Sequence, residues 1–174
     1  MTSLTRIHEE LVATLDAVDP TRVQLAVAAL TTPQTRWFTT GQGRSRLVAC
    51  MAAMRLMHLG VDIHVIGDVT TPSIGPGDGL LVLSASGETP VTLHLARRAA
   101  EAGASILAVT TREDSSLGRL ATLMVPLPVV STRQFGGSLF EQAALLLLDS
   151  LVLDITGADP RTYRRMHERH TNLE

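Results

Sequence analysis

Apolar positions in the first thirty residues recur at helical spacing, and the rhythm predicts two helices, over residues 4–18 and 20–31. The break between them is Asp19-Pro20, a side chain that can cap followed by a ring suited to the first helical turn. From Arg36 onward the pattern changes, and short apolar segments alternate with longer periodic ones. WFTTG, VDIHVIG, GLLVLSAS, SILAVTT and LMVPLP predict five strands; the stretches near 45–59, 90–102, 115–121 and 137–156 predict helices between and after them. Gly60 and Gly103 stand just beyond two of these helices, where a left-handed cap favours glycine.

Such alternation marks a parallel sheet with crossover helices. The fold class is therefore α/β, a three-layer αβα sandwich around a five-stranded parallel sheet of flavodoxin-like order 2-1-3-4-5. The chain of 174 residues divides into a helical preface (1–32), an α/β core (33–157) and a C-terminal tail (158–174), expected to form a single domain. In a sheet of this order, ligands bind at the carboxyl ends of the strands, where the first and third strands lie side by side. The loops that follow those strands are GQGRS (41–45) and SASGET (84–89), both rich in glycine and hydroxyls.

Composition narrows the partners. A net charge of -2 with only 3% aromatic residues leaves no basic surface interleaved with stacking side chains, so nucleic acid is not an expected partner. Glu9 and Glu10 interrupt the N-terminal stretch where a signal peptide needs an unbroken apolar run, and AALLLL at 143–148 is too short to span a bilayer. A cytoplasmic protein without a membrane partner is expected. The one cysteine, Cys50, lies in LVACMAAM and reads as part of a buried helix face.

The chemistry concentrates in the second loop. Thr89-Pro90 reads as a helix start, so free backbone N–H groups, the helix dipole and the hydroxyls of Ser84, Ser86 and Thr89 would together favour a phosphate monoester, with Gly87 allowing the tight turn. A serine-rich capping turn is the alternative. The first loop admits a dinucleotide reading through Gly41, Gly43 and Asp68, but the third glycine of that fingerprint falls on Arg46. Arg46 itself could add a cation near a phosphate or point away into solvent. His167 and His170 have ligand-like spacing without a third ligand nearby, so no metal site is expected.

The paired loops resemble those of the sugar isomerase (SIS) domain family, whose phosphosugar site uses the strand-end motif S-x-S-G-x-T, present here as Ser84-Ala85-Ser86-Gly87-Glu88-Thr89. Within that family the chain resembles the 6-phospho-3-hexuloisomerases, through GQGRSRLVACMAAMRLMHLG (41–60), TPSIGPGD (71–78), GSLFEQ (137–142) and RHTNLE (169–174). The resemblance implies interconversion of 3-hexulose 6-phosphate and fructose 6-phosphate through a cis-enediol, in the ribulose monophosphate pathway of formaldehyde fixation, with no cofactor.

It further implies that Glu141 is the base and that His58 opens the ring or moves a proton to oxygen. Gly43, Arg44, Ser45, Ser84, Ser86, Gly87, Glu88 and Thr89 would hold the substrate, with His170 as a further contact. From the residues alone, Glu141 could equally complement a helix dipole and His58 could cap a helix C-terminus. His58 also falls at the far end of its helix from the strand-end loops, so a catalytic His58 would serve a neighbouring subunit. The helix at 137–156, apolar nearly all round, and Met51, Met54 and Met57 on the helix at 45–59 lead to the same expectation of a homo-oligomer, for which the family suggests a tetramer. Gln134-Phe135-Gly136 and Arg46 depart from the family pattern close to the inferred pocket, leaving isomerisation of another phosphosugar, or phosphosugar sensing, as rival readings.

Overall fold

A computed structural model describes residues 2–173; Glu174, which ends the tail motif, lies outside them. Helices α1 (Ser3–Asp16) and α2 (Pro20–Leu30) precede β1 (Trp37–Thr40), α3 (Arg44–Leu59), β2 (Ile63–Val65), β3 (Gly79–Leu83), α4 (Pro90–Glu101), β4 (Ser105–Thr110), α5 (Ser116–Leu120), β5 (Leu123–Pro126), α6 (Ser138–Thr156) and α7 (Pro160–Glu168). All strand pairs are parallel and the order is β2-β1-β3-β4-β5, as the pattern predicts.

Strand geometry sends alternate side chains to opposite faces, and the central strand β3 shows the result. Leu81 and Leu83 join α2, α3 and α6 in one core, through Ala26, Ala49, Leu56, Phe140 and Leu147. Leu80 and Val82 face the other way and join Leu93, Ala96 and Ala99 of α4 and Leu117 of α5. Because both faces are covered, β3 is buried along its whole length and reads as an unbroken apolar run.

The preface helices form with Asp19 accepting from the Thr21 amide and Pro20 at the first helical position, and α1 packs on α6. One helix departs from the sequence reading. The tail contains α7, started by Asp159-Pro160 with the same cap chemistry as Asp19-Pro20, and α7 packs against α3. None of its residues is fully buried, and Tyr163 and Met166 are its only large apolar side chains among charged ones, too few to give the apolar periodicity by which the other helices are recognised. Cys50 also differs: it is half-buried, on the border between the inward Ala49 and Ala53 and the outward Met51 and Met54.

Candidate active site

The helix starts divide into two groups. α1, α2, α5 and α7 each have a side-chain cap, from Thr2, Asp19, Ser115 and Asp159. α3, α4 and α6 have none. These three follow β1, β3 and β5, so their uncapped N–H groups open at the carboxyl edge of the sheet. Since β1 and β3 are neighbours while α3 and α4 cover opposite faces, a crevice lies between the two helix starts. Unsatisfied donors and dipole ends converging on one crevice favour an anion.

Local geometry keeps the donors free. Gly43 begins α3 at φ 57°, a conformation most side chains avoid, and nothing lies within 4 Å of where its Cβ would be. Ser45 behind it is buried. At α4, Thr89 occupies the cap position, yet its hydroxyl faces Ser84 Oγ at 3.3 Å rather than an amide of the helix. Ser86 Oγ accepts from the Glu88 amide at 3.1 Å and lies exposed at the mouth.

Glu88 turns outward. Its carboxylate accepts from the Ser116 amide at 2.7 Å, and that bond, with further help from Ser116, holds its pKa below the usual glutamate range. It fastens the loop to α5. Gly87 has φ 65° and would bring a Cβ to 2.1 Å from Ser115 Oγ, so glycine is required there by both backbone and space. Thr110 and Thr111 complete the frame by donating to the Ala85 carbonyl at 3.1 and 2.8 Å.

Across the crevice, α6 presents Glu141 from its first turn, with 13% of the side chain exposed. Its Oε2 is buried, has no hydrogen-bond donor in good geometry among the described residues, and lies in ion-pair contact with the Arg44 guanidinium. A cleft of about 190 Å³ adjoins it, lined by Ala85, Ser86, Thr111, Thr132, Gly136 and Gly137 among others. Thr111 and Thr132 line the cleft but are omitted by the sequence reading; Thr111 is a strand-end hydroxyl directly after β4, whereas Thr132 lies well beyond β5, in the connection to α6. A larger cavity of about 460 Å³ lies at the opposite edge of the sheet, by Gln34, Arg36 and Asp62. Arg36 is already engaged there by Asp78 at 2.7 Å, and no uncapped helix start opens on it, so size does not identify the site.

The fold thus brings Gly43, Arg44, Ser45, Ser84, Ser86, Gly87 and Thr89 to the carboxyl edge of the sheet, where Arg44 meets Glu141, Ser84 meets Thr89, Ser86 lines the cleft and Glu88 braces the loop. His58 and His170 are elsewhere. His58 is 3% exposed in the last turn of α3, about 21 Å along the helix from Arg44. Its ring stacks on that of His170 with centroids 5.1 Å apart, and burial, then the neighbouring His170 and Arg55, lower its pKa. Arg46 points away from the crevice, donating to the Ile66 carbonyl and to Asp68 at 3.2 Å. The acid that a dinucleotide would need is therefore paired with the side chain that replaces the third glycine.

Known proteins share this organisation. The SIS domain model matches residues 30–151. A Mycobacterium gastri protein named 3-hexulose-6-phosphate isomerase is 39% identical over 180 residues, covering 99% of this chain and 90% of that one. Its Bacillus subtilis namesake is 37% identical, covering 79% of each. A solved Methanococcus jannaschii structure, for which a molecular function of 3-hexulose-6-phosphate isomerase has been inferred, superposes with a TM-score of 0.86 at 26% identity over the full length of both chains. With the matched segment running from the end of α2 through most of α6, the chain belongs to the SIS domain family.

Proposed function

We propose that the protein is an isomerase interconverting 3-hexulose 6-phosphate and fructose 6-phosphate. The observation that carries this reading is the pairing of uncapped helix starts with a largely buried carboxylate held against the Arg44 guanidinium. The names of the relatives at 37–39% identity supply the substrate. The phosphate binds at the starts of α3 and α4, with Ser86 and Thr89, and the carbon chain reaches toward α6. Glu141 removes the proton from C2, next to the C3 carbonyl, and the electron pair forms the C2–C3 double bond of a cis-enediol. The proton returns to C3, and the hydroxyl proton passes from O2 to O3, so the carbonyl ends at C2. Arg44, beside Glu141, stabilises the negative charge that develops on oxygen.

Assembly is part of the same proposal. Leu47, Met51 and Met54 form an outward stripe on α3 with 63%, 44% and 47% exposure, and Leu146 and Leu153 do the same on α6. Covering these surfaces in a homotetramer would let His58 and His170 of one subunit approach the crevice of another. No described helix is long and apolar enough to cross a membrane, and the reading places the enzyme in the cytoplasm, on the pathway that fixes formaldehyde. The test is a coupled assay: a separate synthase condenses formaldehyde with ribulose 5-phosphate, and fructose 6-phosphate appears only if this protein isomerises the product. Turnover of a different sugar phosphate in a parallel panel would reassign the substrate, and phosphosugar binding without turnover would favour sensing.

A further inference from the structure

The connection between β5 and α6 forms one wall of the cleft and leads directly into the helix that carries Glu141. Thr132, Gly136 and Gly137 line the cleft, and the Glu141 amide donates to the Gly137 carbonyl at 3.0 Å. This connection has few fixed points. Apart from the bonds between Ser138 and Phe135 at the mouth of α6, the hydrogen bonds that tie residues 128–136 to another element, among the described residues, all end on Glu10 of α1.

Glu10 uses both oxygens. Thr132 Oγ1 donates to Oε2 at 2.7 Å, Gln134 Nε2 donates to Oε2 at 3.0 Å, and the Arg133 amide donates to Oε1 at 3.0 Å. Thr132 Oγ1 also accepts from the Gln134 amide at 3.0 Å, so clamp and loop turn are one network. The Arg133 amide, then Gln134 and Thr132, hold the carboxyl below the usual glutamate range, and it is charged at neutral pH. Charge-assisted bonds of this kind are stronger than neutral ones.

We infer that Glu10 is a positioning residue for the phosphosugar cleft, holding the β5–α6 connection so that the Thr132 wall and the start of α6 meet the sugar in register. The kinetic part of this inference rests on the isomerase reading above. The connection meets the loop after β3 only at Ala85 and Ser86 across the cleft, and the uncapped starts of α3 and α4 are not tied to it, so the clamp should govern binding of the sugar portion far more than that of the phosphate. If the unclamped loop spends about a tenth of its time in the competent arrangement, apparent substrate affinity falls about tenfold.

The test compares wild type, Glu10→Ala and Glu10→Gln by hydrogen exchange, by fructose 6-phosphate kinetics and binding, and by inorganic phosphate as a competitive inhibitor. In Glu10→Ala, the bonded amides within 129–137, those of Arg133 and Gln134, should exchange at least about tenfold faster. KM for fructose 6-phosphate should rise about tenfold, more than kcat falls, while the phosphate inhibition constant moves far less. Glu10→Gln should fall between wild type and Glu10→Ala, because its amide oxygen can face the Arg133 N–H and the Gln134 amide can turn over to accept, while Thr132 loses its acceptor and the bonds lose their charge assistance. A folded Glu10→Ala with native exchange and native KM overturns the inference, as does a KM that rises in step with the phosphate constant. If the wild type does not turn the sugar over, the isomerase reading fails separately; Glu10→Ala must then weaken fructose 6-phosphate binding and speed exchange of the Arg133 and Gln134 amides, and native values in either overturn the clamp.

Discussion

Arg44, in the first turn of α3, lies against the carboxylate of Glu141, in the first turn of α6. Two helices that start from different strands thereby bring a cation and a carboxylate together at the carboxyl edge of the sheet. The Arg44 side chain is 62% exposed and Glu141 only 13%, so water screens the pair from one side and it contributes about 1 kcal/mol to stability. Its value is in the chemistry. Arg44→Ala should leave the melting temperature within about 4 °C of wild type and lower kcat/KM by about 100-fold, measured by steady-state kinetics beside thermal unfolding. A large stability loss with activity intact would assign Arg44 a structural role.

Two loop glycines make a contrast. At Gly87 a methyl group would collide with Ser115, which caps α5, and the backbone has φ 65°. Gly87→Ala should cost about 3 kcal/mol or more in urea unfolding, combining strain with a lost cap. Gly43 has a similar φ but open space above it. Because its ψ of -130° also lies outside the left-handed helical region, Gly43→Ala should cost about 1–3 kcal/mol of backbone strain, and its methyl group should weaken phosphosugar affinity, read by calorimetry.

His58 gives a pH dependence with a defined sign. Burial, with His170 and Arg55 nearby, lowers its pKa, so the unfolded chain takes up this proton at a higher pH than the folded one. The stability contributed by neutral His58 is therefore full above about pH 6.5 and is lost as pH falls below that value toward the lower folded pKa. Thermal unfolding between pH 7.5 and 5 should show this loss, and His58→Gln should flatten the slope. An unchanged slope in the variant would assign the pH dependence to other groups.

The exposed stripe on α3 predicts assembly. Met51→Glu with Met54→Glu should shift wild-type oligomers toward smaller species in sedimentation at micromolar concentration, because two charges would be buried unpaired at the contact. If His58 serves a neighbouring crevice, activity should fall with the dissociation. A wild-type monomer would remove both the tetramer and the shared site.

How legible this was varies with the physics. The sheet order and the six helices through α6 follow from hydrophobic periodicity, which core packing enforces on both faces of β3. The turn at Gly87 and the start of α4 were legible because Gly87 and Thr89-Pro90 are local turn chemistry. α7 was not, since it carries too few apolar side chains and only Asp159-Pro160 announces it. Glu10 was read merely as a break in a signal peptide: its partners lie 122 to 124 residues away, and no local pattern reports such a contact. The fate of Arg46 was likewise open until the fold brought Asp68 within 3.2 Å.

The most direct test of the central claim is the coupled formation of fructose 6-phosphate by wild type and Glu141→Gln, with binding of fructose 6-phosphate measured on both. The variant keeps the size of the side chain and removes the proton-accepting oxygen. The account expects robust wild-type turnover, a fall in kcat of about 100-fold or more in the variant, and affinity within a few-fold of wild type. A variant that still turns over at the wild-type rate would contradict the assignment of Glu141 as the base.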